Sequence, residues 1–152
     1  MEEGEPLFDP GRFLQAQESG AAYAQALSEL WRGHKSSHWI WFVFPQLAGL
    51  GQSPTARRFA LSSLGQARAY LAHPVLGPRL EEACRALMSL EEDDPVAVLG
   101  SLDAMKLRSS MTLFLRAEPG HPLFAAVLER FFSGRPDSLT DGLLGLGGAE
   151  RA

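Results

Sequence analysis

Cysteine occurs once in these 152 residues, at Cys84, and lysine only twice, at Lys35 and Lys106, against twelve arginines. A lone cysteine closes no internal disulfide, so the fold must rest on packing. The longest strongly apolar run, Trp39 to Phe44, falls far short of the roughly 20 residues that a membrane-spanning helix needs, which excludes that class of membrane protein. No succession of basic, apolar and small residues opens the chain as a signal peptide would, and the expectation is a cytoplasmic protein. Positive charge is scarce as well. A net charge of −4 and a pI near 5.5 argue against general nucleic-acid binding, which needs a surface that neutralises many phosphates. Neither a complete catalytic signature nor an internal repeat is found. His34 and His38 are four apart, but Gly33 and the pair Ser36-Ser37 interrupt any helix that would aim both at a metal, so no metal or cofactor is expected.

What is present reads as one globular domain: 45% hydrophobic and 21% charged residues are ordinary usage at a length that buries one core. Residues 1–8 read as a loose acidic leader, 9–144 as the domain and 145–152 as a fraying glycine-rich tail. Asp9-Pro10, Ser53-Pro54 and Asp94-Pro95 are helix starts, a cap followed by proline at the first helical position. Gly33, His73-Pro74 and Gly100 are stops. Apolar stripes mark helices at Tyr23, Leu27, Leu30 and Trp31, at Leu76, Leu80, Ala83, Cys84, Leu87 and Met88, and at Phe124, Val127, Leu128 and Phe131. Cys84, on such a stripe, reads as a small core residue. Ser138 is the expected cap of a last short helix. The helix over 102–116 is expected to be buried nearly all round, with Asp103, Lys106 and Ser110 as a polar stripe within it. The sum is an all-α fold, a compact single-domain bundle of six to eight helices with short loops.

The densest stretch runs from Lys35 through Ser36, Ser37, His38, Trp39, Ile40, Trp41, Phe42, Val43 and Phe44 to Pro45 and Gln46, and all three tryptophans lie between positions 31 and 41. Apolar on every side, residues 37–44 suit either a buried strand or a helical turn; helix is favoured, with Ser36 or Ser37 as its cap and Pro45 as its end. Both lysines lie near paired serines, Ser36-Ser37 and Ser109-Ser110. If the aromatic segment packs on the 102–116 helix, ammonium groups, hydroxyls, Asp103 and His38 converge beside indole rings. Such a pocket suits an anion joined to a flat ring. A buried ion pair between Asp103 and Lys106 or Lys35 explains the same residues structurally. The loop Gly49-Leu50-Gly51-Gln52-Ser53 resembles a phosphate cradle without P-loop spacing or lysine, and also reads as a tight turn capped by Ser53.

Lys35 to Gln46 with Gly49-Leu50-Gly51, then Tyr70-Leu71-Ala72-His73-Pro74-Val75-Leu76-Gly77, then Lys106-Leu107-Arg108-Ser109-Ser110-Met111-Thr112-Leu113-Phe114, resemble an uncharacterised bacterial family. That family is known as domain of unknown function 1810, and its members sometimes carry the name calpastatin in error. The resemblance runs from about Phe13 to Leu144 and implies a small, mostly helical protein without an established activity. The order His73-Pro74-Val75-Leu76, Leu87, Gly100, Asp103 also resembles a helical family that removes ADP-ribose from its acceptors, which implies a nucleotide-like ligand.

The functional expectation is a site for a small-molecule anionic ligand, a phosphorylated, ring-bearing metabolite such as ADP-ribose or a nucleotide. Lys35, Ser37, His38, Gln46, Gly51, Ser53, Lys106, Ser109 and Ser110 serve as its polar contacts, Trp39 and Trp41 as stacking rings, and Asp103 as general base if an N-glycosidic bond is hydrolysed. The alternative is a non-catalytic protein-interaction module built on the aromatic segment, whose partner would be another protein.

Overall fold

The structure, a computed structural model, describes residues 7–146. The expected leader and tail lie almost wholly outside the described residues; Phe8 packs on Phe13 and Tyr70. The helices run α1 (Gly11–Glu18), α2 (Ala22–Arg32), α3 (Ile40–Val43), α4 (Pro54–Arg58), α5 (Leu64–Ala72), α6 (Leu76–Met88), α7 (Pro95–Leu99), α8 (Ser101–Ala117), α9 (Pro122–Phe132) and α10 (Ser138–Leu143), with a 3₁₀ turn at Ser19–Ala21. Four of these, α3, α4, α7 and α10, have six residues or fewer and join six longer helices into the all-α bundle that the sequence predicts. Among the described residues there is no strand, only an isolated parallel bridge between Leu47 and Leu61.

Local chemistry sets most boundaries. Ser53, Ser63 and Asp94 each cap a helix by accepting a backbone N–H, and Pro54 and Pro95 begin their helices where no donor is missed. Gly33 ends α2 in the left-handed region at φ 80°. At the corner from α5 to α6, His73 Nδ1 accepts the N–H groups of Val75 and Leu76 at 3.1 and 3.2 Å. A Cβ on Gly77 would stand 2.1 Å from the Leu71 carbonyl oxygen, so only glycine lets α6 start this close to α5. The Tyr70–Gly77 motif is thereby accounted for by packing.

Three local expectations need correction. Ser138 does not cap α10; Asp137 does, because its carboxylate accepts the Thr140 N–H. Ser36 and Ser37 do not cap α3; Trp39 holds the N-cap position and gives no side-chain cap, and the Ser37 hydroxyl is turned to Glu29. On α2 the inward face is Tyr23, Ala26, Glu29 and Leu30, which leaves Trp31 half exposed on the outer side.

α8 is the centre of the fold and packs against α3, α5, α7, α9 and α10. Its residues 109–114 are buried, whereas Leu102 and Met105 near its start are exposed, so the helix is enclosed only in its later part. An aromatic line crosses the core from Phe13 to Tyr70, Phe114 and Phe124, with ring centroids 5.1, 5.5 and 5.7 Å apart. Pairs of this kind add roughly 0.5–1.5 kcal/mol each beyond their buried area.

Candidate functional site

A residue that sequence reasoning missed organises the aromatic segment. Glu29, fully buried on α2, receives on Oε1 the N–H groups of Ser36 at 2.8 Å and Ser37 at 3.1 Å and the Trp39 indole N–H at 2.8 Å. Its Oε2 receives the Ser37 hydroxyl at 2.6 Å and the Gln25 amide at 2.9 Å. Burial by itself raises the pKa of a carboxyl, yet the donors of Ser37, Gln25, Ser36 and Trp39 outweigh it and hold Glu29 well below the usual carboxylate range. Nothing marks Glu29 in the sequence, since a glutamate beside a leucine on an amphipathic helix is ordinarily solvated.

With the segment fixed in this way, Lys35 points at α8. Its backbone N–H donates to Val98 on α7 at 2.8 Å, and its ammonium reaches Asp103 Oδ2 at 2.7 Å and the Ser37 carbonyl at 2.5 Å. Lys106 takes the other oxygen of Asp103, at 3.2 Å. Each ammonium also faces an indole: Lys35 lies 5.0 Å from the Trp39 ring and Lys106 lies 5.5 Å from the Trp41 ring. The two stretches thus meet around one carboxylate. Exposure separates their roles, because the side chains of Lys35, Asp103 and Lys106 are 7%, 18% and 26% exposed. Lys35 is nearly sealed, and Lys106 stands at the edge.

Beyond Lys106 opens a hollow of about 320 Å³. Its walls are Trp41, the loop residues Gln46, Leu50, Gly51, Gln52 and Ser53, Ala56 of α4, the α8 residues Leu102, Met105, Lys106 and Ser109, and Asp137 and Leu139 at the start of α10. A smaller hollow of about 200 Å³, bordered by Arg57, shares Gln46, Gly51, Gln52 and Ala56 with it. The loop's glycines have structural reasons to be there. Gly49 has a φ of 103°, and a Cβ on Gly51 would meet the Ala56 Cβ at 2.6 Å.

Of the residues singled out in the sequence, Trp41, Gln46, Gly51, Ser53, Lys106 and Ser109 border this hollow, and Lys35 and Asp103 stand behind Lys106. Trp39 is buried with its indole N–H committed to Glu29, so its ring is not presented to a ligand. Ser37 is occupied with the same carboxylate, His38 is exposed and borders neither hollow, and Ser110 is buried in α8, its hydroxyl without a partner among the described residues. Asp137 is a second residue that sequence reasoning passed over. Its Oδ2 accepts the Thr140 N–H at 2.9 Å and the Thr140 hydroxyl at 2.6 Å, and lies 3.2 Å from the Ser109 hydroxyl. A cap position one residue before Ser138 was its only signal.

An ammonium over an indole, a carboxylate, the amide side chains of Gln46 and Gln52, and apolar walls from Leu50, Leu102 and Met105 together can hold a small molecule that is part charged and part flat. Among the described residues no group of histidines, cysteines or carboxylates is arranged to hold a metal ion. Cys84 is buried against Met111, and burial pushes its thiol pKa up, which suits a core residue.

The sequence pattern of the family described as protein of unknown function (DUF1810) matches residues 7–144. The chain is also similar to a solved structure, that of the conserved hypothetical protein Rv1873 from Mycobacterium tuberculosis. The identity is 44%, the match covers 91% of this chain and 97% of that one, and the TM-score is 0.87. No curated protein matches the chain.

Proposed function

The chain belongs to the DUF1810 family of proteins of unknown function, and from that premise we propose that the hollow beside Lys106 binds a small phosphorylated or carboxylated molecule with a flat ring. The ligand class is nucleotide-like, ADP-ribose included. Lys106 meets the anion, the Trp41 ring meets the flat face, and Ser53, Ser109 and the amides of Gln46 and Gln52 supply further hydrogen bonds. Asp103 and Lys35 hold Lys106 in position from behind. The single observation that carries this reading is the placement of Lys106, within reach of Asp103, 5.5 Å from the Trp41 ring and on the wall of the hollow.

Binding carries further than N-glycosidic hydrolysis, because both oxygens of Asp103 are taken by ammonium groups and Asp103 does not border the hollow. As general base it would first have to release Lys106. The test is a thermal-shift panel of nucleotides, ADP-ribose and their unphosphorylated nucleosides. A ligand at 100 times its Kd adds about 2.7 kcal/mol, and at this chain length each kcal/mol raises Tm by roughly 2–4 °C. A shift with the phosphorylated members alone is expected, and a flat response across the panel removes the reading.

A protein-interaction surface is the second reading, on one observation. Leu102, Met105 and Leu139 are 71%, 63% and 66% exposed and border the same hollow. Such a patch draws on leucine and methionine rather than on the aromatic segment, which is largely buried. A mass that rises with concentration, and falls back on Met105→Glu, is the result that this reading expects.

A further inference from the structure

Two groups of opposite charge share the wall of the larger hollow, and together they narrow the ligand further; the inference rests on the ligand reading above. Ser109 follows Lys106 by three residues on α8, so the two lie on one face of that helix, and the Ser109 hydroxyl is 3.2 Å from Asp137 Oδ2. Asp137 and Lys106 border the same cavity, and Ser109, on the Lys106 face of α8, is in contact with Asp137. Within the described residues Oδ2 of Asp137 accepts the Thr140 N–H and hydroxyl and lies near the Ser109 hydroxyl, whose single proton it shares with the Met105 carbonyl at 3.1 Å, while Oδ1 receives no hydrogen bond. A carboxylate accepts and never donates. A molecule that is anionic along its whole length is repelled there, whereas one that presents an N–H meets a carboxylate on the wall that has acceptor capacity to spare among the described residues.

We propose that the hollow selects a molecule acidic at one end and amino-bearing at the other: a phosphate or carboxylate on Lys106 and a heterocyclic amine on Asp137, with the Trp41 ring against the heterocycle. A volume of about 320 Å³ lies at the small end of the range of roughly 300–1,000 Å³ for ligand pockets, which fits one nucleoside unit rather than two. The acidic group sets whether the molecule binds, and the amine sets which one does.

Isothermal titration with adenosine 5′-monophosphate and with purine riboside 5′-monophosphate, which has hydrogen in place of the ring amine, separates these roles. For the unaltered protein the amine-bearing nucleotide is expected to bind about tenfold tighter or more, since a site built around a hydrogen bond disfavours the analogue that lacks it. Asp137→Asn keeps a good helix cap and so keeps α10, but brings the two affinities to within about threefold. Lys106→Met weakens both nucleotides alike. Equal affinities for the pair overturn the amine requirement and leave the ligand reading standing. A preference that survives Asp137→Asn overturns the role of Asp137, and no binding of either nucleotide overturns both.

Discussion

At the scale of single residues, the account turns on what Glu29 and Lys106 are each asked to do. Glu29 satisfies three N–H donors and a hydroxyl in a segment where, among the described residues, the Ser36 and Ser37 N–H groups have no backbone acceptor. Truncation strands them. A buried unpaired donor costs roughly 1–3 kcal/mol; the Trp39 indole N–H is buried and the Ser36 and Ser37 donors are part-buried, so Glu29→Ala should lose about 2 kcal/mol or more in urea unfolding, and Glu29→Gln, which keeps one acceptor oxygen, distinctly less. The folded-state pKa of Glu29 lies below its ordinary 4.5, so its stabilisation is complete above about that pH and drains away as pH falls below it. Glu29→Gln should accordingly show a shallower loss of stability than the unaltered protein between about pH 4.5 and pH 2, and matching acid limbs would contradict this role. Lys106 is the opposite case. Asp103 keeps Lys35 when Lys106 is removed, so no charge is left unpaired, and Met fills much of the space of the lysine stem; Lys106→Met should therefore leave stability within about 1 kcal/mol while nucleotide binding is weakened.

At the scale of elements, the clearest constraint is the α5–α6 corner. Gly77→Ala sets a Cβ 2.1 Å from a backbone oxygen that belongs to the preceding helix and has no rotamer to escape into. Overpacking of this kind costs typically 1–3 kcal/mol, measurable as a lower urea midpoint, whereas Gly120→Ala, with nothing within 4 Å, should be near neutral. This corner was legible in the sequence because its signals are local: His73-Pro74 stops one helix and the Leu76 stripe starts the next. The same holds for Ser53-Pro54 and Asp94-Pro95. What was illegible depends on tertiary contact. Trp31 fits the apolar stripe of α2 as well as Tyr23 does, and only the placement of the neighbouring helices leaves it outside. The two halves of α8 read alike, yet packing encloses one and leaves the other on a hollow.

At the scale of the molecule, the convergence of Lys35 and Lys106 followed from chemistry that the sequence displays: two rare cations, each beside serines and each needing a counter-charge. Asp103 supplies it for both. The division of labour between them was not legible, since the segment that carries Lys35 is fixed by the buried Glu29, a tertiary contact, whereas Lys106 stands at the edge of the hollow. Neither was the part of Asp137, the cap residue of a short helix, which borders the same space. Binding at that space should rigidify the loop 46–53, α4 and the first turns of α8 and α10 together, since all four border it. The central claim concerns Trp41, one of three indoles with distinct surroundings: Trp31 half exposed, Trp39 on Glu29, Trp41 beside Lys106. A heteronuclear NMR titration with adenosine 5′-monophosphate follows each indole N–H separately, with Trp41→Phe to assign the signal. The account predicts that the Trp41 signal and the Lys106 and Ser109 amides shift on binding while Trp31 stays put; a spectrum without shifts, or shifts gathered around Trp31, contradicts it.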